Sequence, residues 1–242
     1  MGFELNADFW SGLGQIIIVN ILLSGDNALV IALACRNLEK RHQKPAILAG
    51  SGGAILLRII FVLIIDMILT VPYLKLIGGI LLLWIGVKLV QGEEEHGEDG
   101  VKASSSLWGA IRTIVIADAV MSLDNAIAIA AAARGNTALI VIGLLISIPL
   151  IIFGATLIMA LLNRFPIIVV AGGGLLGWIA GDVIATDFAY AEKLNALIPH
   201  AHLVFEIGGA VITVAIGYAL QYRAKLKAHA DPVDLAANGK KE

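Results

Sequence analysis

Seven apolar runs, each near the roughly 20 residues that carry an α-helix across a bilayer, leave this chain little choice of fold. They lie at roughly 11–34, 45–68, 71–91, 107–133, 138–162, 166–185 and 203–221. In hydrocarbon every backbone N–H and C=O must find a partner inside its own segment, so runs of this length read as helices. Charged residues make up 15% of the 242 positions and apolar ones 59%, a balance that excludes an ordinary soluble domain. The expected fold is all-α: a polytopic membrane protein with seven transmembrane helices. Met1-Gly2-Phe3-Glu4 lacks the basic start of a cleavable signal peptide, so none is expected. The single Cys35 excludes an intramolecular disulfide and a cysteine-rich metal site.

The loop charges set an orientation. Arg36, Lys40, Arg41 and Lys44 follow the first run, and basic loops stay on the cytoplasmic side. With seven spans, Arg164 and the tail residues Arg223, Lys225, Lys227, Lys240 and Lys241 fall on that same side. The N-terminal segment carries Glu4 and Asp8 but no Lys or Arg. The expected location is the inner (plasma) membrane, N-terminus outside and C-terminus cytoplasmic. Trp10, Trp108 and Tyr73 read as interfacial anchors. The segment from Phe188 to Pro199 is too short and polar to span, and is expected on the outer surface.

The chain also repeats itself. Ser24-Gly25-Asp26-Asn27-Ala28 returns as Ser122-Leu123-Asp124-Asn125-Ala126, and at this shift 8 of the 13 residues from Ser24 to Arg36 are identical. Gly78-Gly79-Ile80-Leu81-Leu82-Leu83-Trp84-Ile85 resembles Gly172-Gly173-Gly174-Leu175-Leu176-Gly177-Trp178-Ile179. Three helices per repeat is an odd number, so the second copy enters from the opposite side, giving a 3+3 inverted repeat plus one extra C-terminal helix. The expected divisions are 1–91 for the first repeat, 92–106 for an acidic cytoplasmic linker, and 107–186 for the second, inverted repeat. Residues 187–222 hold the outer surface segment and seventh helix, and 223–242 the cytoplasmic tail. Glycines in the second and sixth spans suit close helix packing. Gly25 differs, and is read as a candidate break in the first span.

A carboxylate at the bilayer centre costs about 2.5–3.5 kcal/mol on insertion scales, so one that stays there has a task. Asp26 and Asp124 lie near the middle of oppositely directed spans and can meet at one depth. Asp118 aligns with Asn20, and each half offers a polar seam: Asn20, Ser24 and Asn27 in one, Asp118, Ser122 and Asn125 in the other. Facing seams make an oxygen-rich cage. Such ligands suit hard divalent cations such as Mg²⁺, Ca²⁺ or Mn²⁺, and no intramembrane His or Cys argues for a softer ion. The candidate metal residues are Asp26, Asn27, Asp118, Asp124 and Asn125, with Asn20, Ser24, Ser122, Arg58, Asp66, Asp182 and Glu206 as supporting candidates. Arg58 is the obvious ion-pair partner for one of the Asp residues. Asp66, Asp182 and Glu206 sit toward outer helix ends and read either as an exit route or as interfacial groups. Protonation of the carboxylates when the ion leaves makes metal/proton exchange the expected coupling.

Gly25-Asp26-Asn27-Ala28-Leu29-Val30-Ile31-Ala32, paired with Asp118 through Ala126, resembles the signature of the TerC family, most closely its YjbE-like branch. That family is related to the LysE exporter superfamily, and several bacterial members are associated with manganese efflux. The resemblance implies a manganese exporter with Mn²⁺ as transported substrate and no permanently bound cofactor. It assigns ion binding to Asp26, Asn27, Asp118, Asp124 and Asn125, but not to Asp66, Asp182 or Glu206. The expected partners are the divalent ion and the lipid bilayer. No nucleic acid is expected, and a homo-oligomer is compatible.

Two alternatives stay open: an exporter of another solute such as an amino acid, with Arg58 meeting its carboxylate, and a non-transporting membrane-biogenesis partner. An enzyme is not expected. The Gly-x-Gly-Asp motif of intramembrane aspartyl proteases fails here, because Leu23 stands where its first Gly belongs.

Overall fold

The computed structural model describes residues 7–22, 24–68, 70–92, 106–133, 136–165 and 167–230. Among them every regular element is helical: α1 (Ala7–Leu22), α2 (Ser24–Cys35), α3 (Lys40–Leu63), α4 (Ile65–Ile68), α5 (Leu74–Gln91), α6 (Leu107–Ala133), α7 (Thr137–Arg164), α8 (Ile167–Ala185), α9 (Ala191–Leu197) and α10 (Ala201–Ala230). Helices α3, α5, α7, α8 and α10 are each long and apolar enough to cross a membrane. Helix α6 bends by 63° at Asp124, between arms Leu107–Leu123 and Asn125–Ala133, and makes a sixth crossing if the arms form one span.

The first apolar run carries α1 and α2 on either side of Leu23, which lies outside the described residues, and Gly25 lies inside α2. The surface segment expected at 188–199 forms the short α9. The linker at 92–106 lies almost wholly outside the described residues. Helix α7 starts where the sequence turns polar: the Asn136 side chain accepts the N–H groups of Ala138 and Leu139 at 3.1 and 3.3 Å.

Glycines decide how closely these helices approach. In lipid there is no hydrophobic drive between helices, so association depends on close packing. Helix α8 packs against both α5 and α10. A Cβ on Gly177 would stand 2.3 Å from the Gly209 carbonyl oxygen, and one on Gly181 would stand 2.0 Å from the Phe205 carbonyl oxygen. Elsewhere glycines receive branched side chains: a Cβ on Gly50 of α3 would meet Ile114 at 2.6 Å, and one on Gly143 of α7 would meet Ile16 at 2.4 Å. Leu56, Phe153, Leu157 and Val211 are left on the outer faces, where lipid is their natural neighbour.

Candidate functional site

The site forms where α2, α3 and α6 meet. Their apolar residues bury Val30, Ile31, Ile55, Ile114 and Val120, and a few polar side chains are carried in with them: Asn27, Arg58, Asp118 and Ser122. Arg58 is 1% exposed. Its Nη2 donates to Asp118 Oδ1 in a short ion pair. Its Nε donates to Ser122 Oγ at 3.0 Å, and Ser122 Oγ in turn donates to Asp118 Oδ2 at 3.1 Å. Asp118 and Ser122 are four apart on α6 and so share a face, which lets one guanidinium reach both. An arginine brought into an apolar interior without a carboxylate would be far costlier than this closed arrangement.

Asp26 stands beside the pair. It is half-buried, and its Oδ1 accepts the Asn27 backbone N–H at 2.7 Å. It interacts electrostatically with Arg58, attractively, and with Asp118, repulsively. Asn27 and Asp118 line one small cavity of about 10 Å³ with Val30, Ile31 and Ile114. That is near the lower limit for a single water, so the space suits one small polar guest.

Of the three carboxylates expected near the centre, the two whose side chains are described, Asp26 and Asp118, are therefore in different settings. Asp118 has both oxygens engaged, whereas among the described residues the hydrogen bond seen for Asp26 is that of Oδ1 with the Asn27 N–H. Asn125 is half-buried, one residue past the α6 bend. The side chains of Asn20, Ser24, Asp66 and Asp124 lie outside the described ones, so the joining of Asp26 with Asp124 is not among the contacts seen. Among the described residues no three Asp, Glu, His or Cys side chains converge. At the C-terminal end of α8 and the N-terminal end of α10, Asp182 pairs with His202 Nδ1 at 3.0 Å, and among the described residues Glu206 is not drawn into a three-ligand group with them.

Sequence reasoning missed Asp187. Although it follows the last turn of α8, it is 1% exposed and accepts N–H groups from Tyr73 at 3.0 Å, Leu76 at 3.0 Å and Ala189 at 2.8 Å. Burial alone would raise its pKa, but these backbone donors hold the carboxyl below its ordinary value. It thereby ties the start of α5, where Tyr73 adopts φ 62°, to the end of α8. Nothing in the local sequence distinguishes it from an interfacial Asp.

A second, larger cavity of about 410 Å³ opens beside Lys75, Thr186, Phe188 and Glu192 and reaches inward to Leu123. It lies at the Leu74 end of α5. The opposite end of that helix accepts Arg36 Nη2 on the Leu89 carbonyl at 3.0 Å, so the cavity opens away from the basic loop.

The buried charges sit in a sequence whose family is settled by comparison. The profile of the integral membrane protein TerC family matches residues 5–225. The chain belongs to the TerC family. It is 42% identical over 208 residues to the uncharacterized membrane protein YjbE of Bacillus subtilis, covering 86% of this chain and 92% of that one. It is 26% identical to the uncharacterized membrane protein YceF of the same organism, over 86% of this chain and 82% of YceF. The UPF0053 inner membrane protein YoaE of Escherichia coli is 24% identical over 88% of this chain, which corresponds to 43% of YoaE. No solved structure gives a significant match. Membership in an integral membrane family agrees with the apolar helices and is transporter-like in character.

Proposed function

We propose that this TerC-family protein exports a hard divalent cation, Mn²⁺ in the first instance, through the site between α2, α3 and α6. The observation that carries the reading is the meeting of Asn27 and Asp118 on facing helices around a small cavity within an otherwise apolar interior, with Asp26 next to Asn27 on α2. Oxygen ligands of this kind favour a hard cation. Asp124 and Asn125, on the repeat of the same motif, complete the proposed ligand set. Manganese itself is supported by the family resemblance, as is kinship with the LysE exporters.

The transport cycle proposed is alternating access between two inverted halves, residues 1–91 and 107–186. Reciprocal packing supports the symmetry. Ile16 of α1 fills Gly143 of α7, as Ile114 of α6 fills Gly50 of α3. Likewise Gly79 receives Ile184 while Gly173 receives Val90. Ile16 and Ile114 stand at the spacing of the Asp-Asn repeat, and Gly79 with Gly173 and Val90 with Ile184 at the spacing of the glycine repeat, so residues at repeat spacing exchange roles, as a two-fold relation demands. The 410 Å³ cavity that reaches Leu123 supplies a route on the side away from the basic loop. With that loop cytoplasmic in the inner membrane, the N-terminus outside and seven spans counted, this is the exit side.

The test is cellular manganese content under manganese load, measured by elemental analysis in deletion, wild-type, Asp26→Asn and Asp124→Asn strains. The variants should reach the membrane at wild-type levels yet leave intracellular manganese as high as in the deletion. Normal export by both would remove the central site. The buried Arg58 favours a second reading, an exporter of an amino acid whose carboxylate meets that guanidinium. Proteoliposome flux of Mn²⁺ against amino acids separates the two.

A further inference from the structure

The ion pair at the centre of the site poses a problem for a cation carrier. Both Asp118 oxygens are already engaged, one by Arg58 and one by Ser122, so no substrate cation can take a full share of that carboxylate while the guanidinium stays. A dication and a guanidinium competing for the same oxygens also repel one another in a medium that screens charge poorly. Conversely, were Arg58 absent, an empty site would hold the buried Asp118 and the half-buried Asp26 as two like charges that repel one another. Their charge would oppose any movement of the empty carrier through the apolar interior.

We infer that Arg58 is a tethered stand-in for the transported cation: it holds Asp118 when the site is empty and yields it when the ion binds, so that the carrier can return without cargo. This deepens the export reading above and rests on it. Three features fit the role. Arg58 projects from α3, whereas Asp118 and Ser122 belong to α6, so the pair joins one proposed half of the protein to the other and can be broken by their relative movement. Ser122 Oγ accepts from Arg58 Nε and donates to Asp118, so it can keep one partner when the other departs. Asp26, on α2, attracts Arg58 and offers the guanidinium a second acceptor when Asp118 turns to the ion.

The role separates two fluxes that a merely structural residue would move together. In proteoliposomes, exchange of labelled for unlabelled Mn²⁺ needs only loaded carriers to cross, while net efflux into Mn²⁺-free buffer needs empty carriers to return. Arg58→Gln, checked for monodispersity by size exclusion, alters the site and so lowers both fluxes, but not equally. Its net efflux should fall at least about tenfold more than its exchange, the rate consequence of one uncompensated charge on the returning carrier. Equal loss of both fluxes, or loss of neither, overturns the inference. A measurement on the unaltered protein covers a variant that does not fold. Infrared difference spectra on Mn²⁺ addition, taken with and without isotope-labelled arginine, should show a guanidinium band shifting together with the carboxylate bands. Carboxylate bands that shift while the arginine bands stay fixed overturn it too. Those results leave export itself standing, whereas a wild-type protein that neither moves nor binds Mn²⁺ removes the export reading and this inference with it.

Discussion

Two neighbouring glycines on α10 should respond to the same substitution with opposite signs. A Cβ on Gly208 would have nothing within 4 Å, whereas one on Gly209 would lie 2.1 Å from the Gly177 carbonyl oxygen and 3.0 Å from its carbon. At Gly208 the change to Ala adds helix propensity, worth about 0.8–1.0 kcal/mol in a helix interior. At Gly209 the same gain is opposed by overpacking. The obstacle is backbone, which cannot rotate away as a side chain can, so α8 and α10 must part by about an ångström to restore ordinary contact. Overpacking of this kind costs about 1–3 kcal/mol, and a backbone obstacle sits at the upper end. Net destabilisation near 2 kcal/mol follows for Gly209→Ala, so the two variants should differ by roughly 3 kcal/mol. Thermal melting of the purified protein in detergent, read by loss of the monodisperse size-exclusion peak, measures the difference. Equal melting of Gly208→Ala and Gly209→Ala would show that close backbone approach does not hold α8 to α10.

The site makes its own stability prediction. Asp118→Asn strands the buried Arg58 and should cost about 3–5 kcal/mol, while Arg58→Met combined with Asp118→Leu should recover most of that loss. Identical melting of the single and double variants would mean that the loss does not come from a stranded Arg58 charge. At the Leu74 end of α5, Asp187→Asn should cost about 1.5–3 kcal/mol at neutral pH, the range for hydrogen bonds to a charged group. Because the folded carboxyl titrates below its ordinary range, its contribution is present above the unfolded pKa and is lost as pH falls through the folded one. The gap in melting temperature between wild type and Asp187→Asn should therefore narrow on acidification, and a gap constant with pH would contradict the assignment.

How much of this was legible beforehand differs between elements. The helices were, because a bilayer admits few backbone solutions and the apolar runs have the length that one of them needs. The spans anticipated at 71–91, 107–133 and 166–185 lie close to α5, α6 and α8. Gly25 drew attention as a candidate break in the first span, yet it lies within α2. That residues 188–199 do not span followed from their length and polarity, whereas the seven-residue α9 within them was not anticipated.

The sequence by itself determined a membrane-embedded helical protein with a duplicated Asp-Asn motif, because hydropathy and internal identity are properties of order along the chain. It named Asp26, Asp118 and Arg58 as charges that require partners. Only the tertiary structure decided that Arg58 turns to Asp118 and Ser122 across 60 and 64 positions, with Asp26 beside them. Pairing at that separation depends on the rotation and depth of α3 against α6, which Ile114 in the groove at Gly50 helps to fix. Asp187 carries the same lesson: its burial comes from the approach of α5 to α8 through Gly79, Gly86 and Gly173, and no local pattern encodes that distance.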